Sequence, residues 1–312
     1  MATTVTVDSN YTGKVAGEII GASFKEADTL RLGLVTVSTN VGFKLNMRRI
    51  RYADGTTDYS CGDFVPAGSI TLDERVLEPK KVMNPFQVCK ETFRQTWSSD
   101  GMGASAHNDM LASDIQGAIL TEVLSSQAEK IDDDIWNGDA TNSGEFDGLI
   151  KLWGADSGVI KANNGITPSG NPVTEATVEA ELKKALAAIP VSLRRKDLVV
   201  AVSSDVFQAY WFYLVSKGIA WNGTTDEKSV KFGKYTLTEV GGMPDNTIAI
   251  FEKKNILFGT ALEADFNDVR VVDEDSIGLL TGQVRGKIVY SAGVQYYNSE
   301  DIVYYKSTTT PA

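Results

Sequence analysis

Three consecutive aspartates, Asp132, Asp133 and Asp134, stand inside the stretch IDDDIWNGDATNSGEFDGLIKL (131–152), and Asp139 and a further acidic loop follow closely. Crowded carboxylates are the groups that hold a divalent cation or share a proton in acid–base chemistry. The spacing argues against both. An EF-hand alternates its ligands around a mid-loop glycine and closes on a glutamate, and this run does neither. Consecutive helical positions point about 100° apart, so three in a row do not converge on one ion. Carboxylates at a helix C-terminus also oppose its dipole, at about 0.3–1 kcal/mol each when exposed. Two readings follow: a solvated acidic corner, or a corner whose repulsion is offset by cations from another chain.

Other catalytic chemistry finds little support. His107 is the single histidine, so a Ser–His–Asp or Cys–His arrangement would have to use it, and GxSxG is missing. It lies in GMGASAHNDM, near the expected start of a helix, and reads as a surface or capping residue. GMGASA (101–106) resembles GxGxxA, but a dinucleotide fingerprint needs a buried strand before it, and ETFRQTWSSD is polar. There is no P-loop and no zinc spacing. A glycosidase would need aromatics along a cleft, whereas Tyr210, Trp211, Phe212 and Tyr213 fall in a stripe that suits a core. The chain is therefore not expected to be an enzyme, and no cofactor or metal is expected.

The bulk properties narrow the class. At 312 residues, two compact units and a sizeable core are affordable. Hydrophobic residues at 42% and charged residues at 23% argue against wholesale disorder. A net charge of −11 makes attraction to phosphate backbones a poor main function. Two cysteines, Cys61 and Cys89, exclude a disulfide framework and suit a reducing compartment. No stretch approaches the roughly 18–20 apolar residues of a membrane span. The most apolar window, Val206 to Val215, is interrupted by Gln208. The opening MATTVTVDSN lacks the pattern of a signal peptide.

The elements that would position these residues can be read from periodicity. The segment TGKVAGEIIGASFKEADTLRLG suits a short amphipathic helix weakened by glycines. Val35, Val37, Val41, Phe43, Leu45 and Met47 alternate with Thr36, Ser38, Lys44 and Asn46, as in a strand with one apolar face. The parity changes at Ile50 and Tyr52, which predicts a bulge or twist near Arg48–Arg49. Asp54–Gly55 predicts a tight hairpin turn, and ITLDERV (70–76) the returning strand. Residues 35–80 thus form a β excursion without a covering helix. Such a ribbon is marginal alone and must lean on another surface.

From residue 108 the period becomes helical through Leu111, Ile115, Ala118, Ile119, Leu124, Ala128, Ile131 and Ile135. Ser105 or Asn108 suits the N-cap and Gly138 the end, giving a helix of about 40 Å. GEFDGLIKLWG looks like a strand-like loop, and NNGITPSGNP marks a boundary near 163–172. Thr174 suits the cap of a helix with the stripe Val178, Leu182, Ala185, Leu186 and Ile189, stopped by Pro190. LVVAV (198–202) is a buried strand, and Ser203–Ser204 suit the cap of the helix that follows. YTLTEV, TIAIF and NILFG are further strands. Val284, Ile288, Tyr290, Val294 and Tyr296 share parity along one long C-terminal strand.

This order of elements resembles the major capsid protein of tailed bacteriophages, the Hong Kong 97-type fold. IDDDIWNGDATNSGEFDGLI is similar to that family's spine-helix exit, and LVVAVSSDVFQAYWFYLVSKG and VGGMPDNTIAIFEKKNILFG are similar to its axial domain. The resemblance implies an α+β chain. Its parts would be an N-terminal arm (1–34), an extended β-hairpin loop (35–85) and a peripheral domain (86–165) with a spine helix over about 108–136. An α/β axial domain (166–265) and a return to the peripheral domain with a long C-terminal strand (266–312) would complete it.

By the same resemblance the chain assembles with its own copies, as hexamers and pentamers, into an icosahedral shell around a double-stranded DNA genome. It would reside in the virion, and in the host cytoplasm during assembly. The implied partners are a portal and a separate scaffolding protein, with decoration or head–tail connector proteins. DNA would be touched only weakly, and no membrane is involved. Many members carry a long cleaved N-terminal scaffolding segment. Here the arm-like region begins almost at Met1, so a separate scaffold or a trimmed chain is expected. Arg48, Arg49 and Arg51 of the loop are expected to approach Asp132, Asp133 and Asp134 between subunits. The alternatives are an encapsulin-like nanocompartment shell around a cargo enzyme, or another virion component such as a tail or baseplate protein.

Overall fold

The computed structural model describes residues 9–12, 27–53, 55–58, 61, 66–90, 113–162, 172–218, 229–261, 268–275, 277–279 and 281–307. Along the chain come β1 (Ser9–Thr12), the helical turn α1 (Asp28–Arg31), β2 (Thr36–Ser38), β3 (Leu45–Ala53), β4 (Ser69–Leu77) and β5 (Lys80–Cys89). The long helix α2 (Ser113–Asn137) and the short α3 (Leu149–Ala155) follow, then β6 (Ile160–Lys161), α4 (Val178–Ala187), β7 (Leu198–Ser203) and α5 (Ser204–Ser216). The remaining strands are β8 (Ser229–Phe232), β9 (Tyr235–Val240), β10 (Thr247–Glu252), β11 (Ile256–Thr260), β12 (Asp268–Asp273), β13 (Gln283–Tyr296) and β14 (Ile302–Lys306).

Unbroken apolar runs demand cover on both faces, and the first sheet supplies the reason. Its order is β6-β14-β10-β7-β9-β8. Alternate side chains of β7, β10 and β14 divide between two cores. Val200, Val202, Ile248, Ile250, Val303 and Tyr305 pack under α4 and α5, with Val178, Leu182 and Ile189. Ala201, Ala249, Phe251, Ile302 and Tyr304 face the other way, toward the end of α2 and α3. The sheet is therefore the middle of three layers.

The second sheet runs β1-β12-β13-β11-β2, with β5 also paired to β13. The 14-residue β13 is its central strand. One edge of β13 is covered by β5 from Lys80 to Cys89, the other by β12 and then β11. Val284, Ile288, Tyr290, Val294 and Tyr296 are all buried, as their shared parity predicts. The chain passes from the first sheet to the second between β10 and β11, and β14 carries it back. Trp136, Trp153, Phe251 and Tyr304 cluster where α2 and α3 meet the first sheet, with ring centroids 5.9–6.2 Å apart, in a core that Phe258, Ile288 and Tyr296 of the second sheet also enter. Such edge and tilted aromatic pairs add about 0.5–1.5 kcal/mol each beyond the area they bury.

Three expectations are corrected. Residues 35–47 are not one strand: β2 ends at Ser38 and the chain is irregular until β3 begins at Leu45. The Asp54–Gly55 signal does not make a two-residue turn. β3 and β4 are joined by residues 54–68, part of which lies outside the described residues. GEFDGLIKLWG contains helix α3, because Leu149, Ile150 and Trp153, at i, i+1 and i+4, bury one helical face. The Ser105 and Asn108 caps, His107, GMGASA and the core of the 163–172 boundary lie outside the described residues.

A close approach in the second sheet depends on a missing side chain. Gly286 pairs with Phe86 across β13 and β5, and a Cβ at 286 would lie 2.1 Å from the Phe86 ring. Gly286→Ala is expected to cost about 1–3 kcal/mol of stability in the native background. In a Phe86→Ala background the same change should cost far less. Urea unfolding of the four chains in this double-mutant cycle reads the coupling, and additive losses would remove the contact as the cause.

Candidate functional site

The aspartate run ends α2 where the helix enters the shared core, and its members have different surroundings. Asp132 is buried. Its Oδ1 accepts the Thr29 N–H at 2.8 Å, just inside α1, and its Oδ2 accepts the Gly242 N–H at 2.9 Å. Trp136, one turn on, donates from Nε1 to Thr29 Oγ1 at 2.7 Å. Gly242 has to be glycine for this, since a Cβ there would stand 2.4 Å from the Asp132 backbone. Asp134 is also buried; Lys130 Nζ lies 2.8 Å from its Oδ1 as an ion pair without hydrogen-bond geometry, and its Oδ2 has no hydrogen-bond partner. Only Asp133 faces outward, with 53% of its side chain exposed. The solvated corner expected from sequence is thus corrected: two of its three acids are inside the protein.

The loop after the helix satisfies its own charges. Glu145 pairs with Lys130 at 2.8 Å and accepts the Asp139 N–H at 3.1 Å. Asp139 accepts the Thr141 N–H at 2.8 Å and pairs with Lys151 at 2.6 Å. Lys80, at the start of β5, donates to the carbonyls of Ala140 and Asn142. Burial pushes the Asp134 carboxyl up to about 6, against the pull of Lys130. Burial likewise raises Asp132, despite the N–H groups aimed at it. Lys130 holds Glu145 down to about 2. A cleft of about 490 Å³ beside α2 is lined by Asp28, Glu129, Asp132 and Asp133 among others. Among the described residues, no group of three or more His, Cys, Asp or Glu is arranged to hold a metal ion.

The β3–β4 hairpin is the second candidate. Its ladder runs unbroken from Leu45 opposite Leu77 to Ala53 opposite Ser69. No bulge interrupts Arg48–Arg49, so the parity change has another meaning: the apolar residues change face. At the base, Met47 and Leu77 are buried with Leu257. The same face carries Arg75 directly opposite Met47, and Arg49 and Arg51 beyond it. Arg49 donates to Asn298 Oδ1, Arg51 pairs with Glu300 at 2.9 Å, and Arg75 pairs with Asp156. The opposite face carries the cross-strand pairs Ile50–Leu72 and Tyr52–Ile70, which are 61–74% exposed. The hairpin therefore gives its charged face to its own protein and its apolar face to the outside, the reverse of an ordinary half-buried ribbon.

Within one chain the expected partners do not meet. The hairpin arginines engage Glu74, Asp73, Asn298 and Glu300, while Asp132 and Asp134 are enclosed by α1, Gly242 and Lys130. Sequence reasoning missed Arg75, Asp156, Tyr296 and Asn298, which are far apart along the chain and carry no local signal. The outward apolar pairs did leave a signal, the parity change. A second apolar tip was also missed. Buried Lys90 pairs with Asp273 and Asp275 and braces the turn that exposes Ile277 and Leu279.

No protein-family model and no curated protein matches the sequence. Solved structures do match. The capsid of a native GTA particle aligns with a TM-score of 0.62 at 12% identity, covering 91% of this chain and 91% of that one. The procapsid of satellite phage P4 aligns at 0.58 and 13%, covering 94% of this chain and 99% of that one. A virus-like particle from Pyrococcus furiosus aligns at 0.52 and 12%, again covering 94% and 99%. At these identities the likeness speaks to the fold, and the fold is that of a phage capsid protein.

The buried Asp134 sets a pH dependence. Its folded value lies above the ordinary 3.8, so its contribution to stability is intact below that value and is lost as pH rises through about 6. Asp134→Asn removes the loss. Relative to the native chain, the variant should gain about 1–3 kcal/mol between pH 4 and 7, with a plateau above. Urea unfolding of the unassembled chain across that range measures it, and a pH-independent difference would refute the assignment.

Proposed function

We propose that this protein is a shell subunit, many copies of which tile into the closed icosahedral capsid of a tailed phage and enclose its double-stranded DNA. The observation that carries the proposal is the reversed hairpin. Ile50, Tyr52, Ile70 and Leu72 form a four-residue apolar face that the described residues leave uncovered. Covering such side chains is worth roughly 1.5–3 kcal/mol each. Part of that gain is offset by the cost of bringing copies together. A second copy is the occupant available at every position of a repeating surface, and the capsid fold supports that choice.

In the Hong Kong 97-type arrangement the hairpin serves as the extended loop and α2 as the spine helix. Divided by sheets, the second sheet belongs to the peripheral domain and the first sheet with α4 and α5 to the axial domain, which moves β11 out of the expected axial range 166–265 and β6 and β14 into the axial domain. The reading assigns no catalysis to the chain. A net charge of −11 suits a container that holds DNA loosely and later releases it. A portal and a separate scaffold belong to the same reading. Of the six residues expected between subunits, Arg48 and Asp133 keep outward-facing side chains, at 64% and 53% exposure, and they are the pair proposed to approach across the interface. Among the described residues, no feature favours a cargo compartment instead.

The test is a chain carrying Ile50→Ser and Leu72→Ser. Its circular dichroism and melting temperature as a free subunit should stay close to those of the native chain, because both side chains are already exposed. Closed shells in negative-stain micrographs, with scaffold supplied, should fall to a small fraction of the native yield. Native-like shells from this variant would refute the role of the hairpin face. Failure of the native chain to form shells under any scaffold condition would refute the function.

A further inference from the structure

The distal hairpin lacks the usual means of staying in place. A two-stranded ribbon is marginal by itself in water. Its apolar contacts with the body stop at the base, in the small cluster of Met47, Leu77 and Leu257 with Leu45 and Tyr297 packed against it. Beside that base and further out, the inward side chains that reach the body are arginines: Arg75 opposite Met47, then Arg49 and Arg51. Arg75 pairs with Asp156, and its guanidinium lies 4.3 Å from the centre of the Tyr296 ring. Tyr296 in turn donates its hydroxyl to Asp156 Oδ2 at 2.8 Å. Arg49 donates to Asn298, and Arg51 bridges its own strand partner's neighbour Asp73 and the body residue Glu300.

The receiving side is braced by contacts that do not involve the hairpin. Asn298 and Asn255 exchange hydrogen bonds, each 2.8 Å, between backbone and side chain. Asn298 also accepts the Glu300 N–H, and Asp301 pairs with Lys196 at 2.6 Å. Asp156 is fixed by the Gly158 N–H at 2.8 Å. Burial pushes the Asp156 carboxyl up, but Gly158, Arg75 and Tyr296 outweigh it and hold the group below the usual carboxylate range. It is therefore ionised at neutral pH, and salt rather than pH is the lever on the contact.

We propose that Arg49, Arg51 and Arg75 form an electrostatic clasp with Asp156, Asn298 and Glu300 that holds the hairpin on its own subunit and presents its apolar face at a fixed angle before any second copy binds. The inference rests on the shell-subunit reading for its purpose but not for its test. Two of the clasp's three contacts with the body are ion pairs and the third a hydrogen bond to Asn298, so polar contacts fix the ribbon while its outer face stays in water. The clasp also lowers the ordering cost at assembly, because the ribbon arrives already placed. Arg75 is the principal member, with 32% of its side chain exposed against 42% for Arg51, so its pairing is screened less.

Hydrogen exchange of the unassembled full chain tests the clasp. Raising sodium chloride from 50 mM to 1 M should speed exchange of the paired amides in 45–53 and 69–77 roughly five- to tenfold, and leave β10 unchanged. Arg75→Gln should give a similar acceleration at low salt and blunt the salt response. Salt-independent hairpin exchange in the native chain, or acceleration of β10 in step with the hairpin, would overturn the clasp. The assembly reading is judged separately. Shells that form despite a salt-insensitive hairpin would sink the clasp alone, and a salt-sensitive hairpin on a chain that never assembles would sink the shell alone.

Discussion

A ribbon of two strands has two faces, and an apolar one left in water is a standing cost. In this protein the cost is accepted over Ile50, Tyr52, Ile70 and Leu72, while the same ladder spends its arginines on contacts with its own body. Local propensity does not explain that choice, since β-branched and aromatic residues would serve equally well turned inward. A face that is unfavourable for the single chain becomes favourable once something covers it. The organisation of the molecule follows from keeping that face available while the remainder folds without it.

Of the two cores in the remainder, one is centred on four aromatic rings. Trp136 arrives at the end of α2, Trp153 from α3, Phe251 from β10 and Tyr304 from β14. Asp132 ties this centre to Thr29 and Gly242, two segments otherwise distant along the chain. A buried carboxylate is costly to desolvate, and here two backbone N–H groups are aimed at it. The same acid seen only in sequence is one of three identical letters. Its neighbours Asp133 and Asp134 have different surroundings because the helix turns about 100° per residue.

Periodicity carried most of what was legible. The parity of β13, the stripe of α4 and the runs of β7 and β10 follow from which faces must be dry, and each stands where its pattern placed it. The pattern failed where the decisive partner was remote. Leu149 to Ala155 looked like a looping strand because seven residues are too few to establish a helical period. The Asp54–Gly55 dipeptide pointed to a turn, but the strands on either side pair without it. The parity change at Ile50 was visible, and a bulge was the local explanation. The non-local one, an exchange of faces, requires knowing that Asn298, Glu300 and Asp156 wait on one side. The acids at 132 and 134 looked solvated because sequence does not reveal Gly242 or the end of α1 closing over them.

The core around Trp136 and Trp153 also has a mechanical meaning. Phe251 and Tyr304 of the first sheet and Phe258, Ile288 and Tyr296 of the second enter one core with Trp136 and Trp153. Load applied at either end is transmitted through interlocked rings, which resist shear. In a shell of the kind proposed, curvature or swelling would then be absorbed between copies and in the β3–β4 ribbon, leaving the interior of each copy stiff.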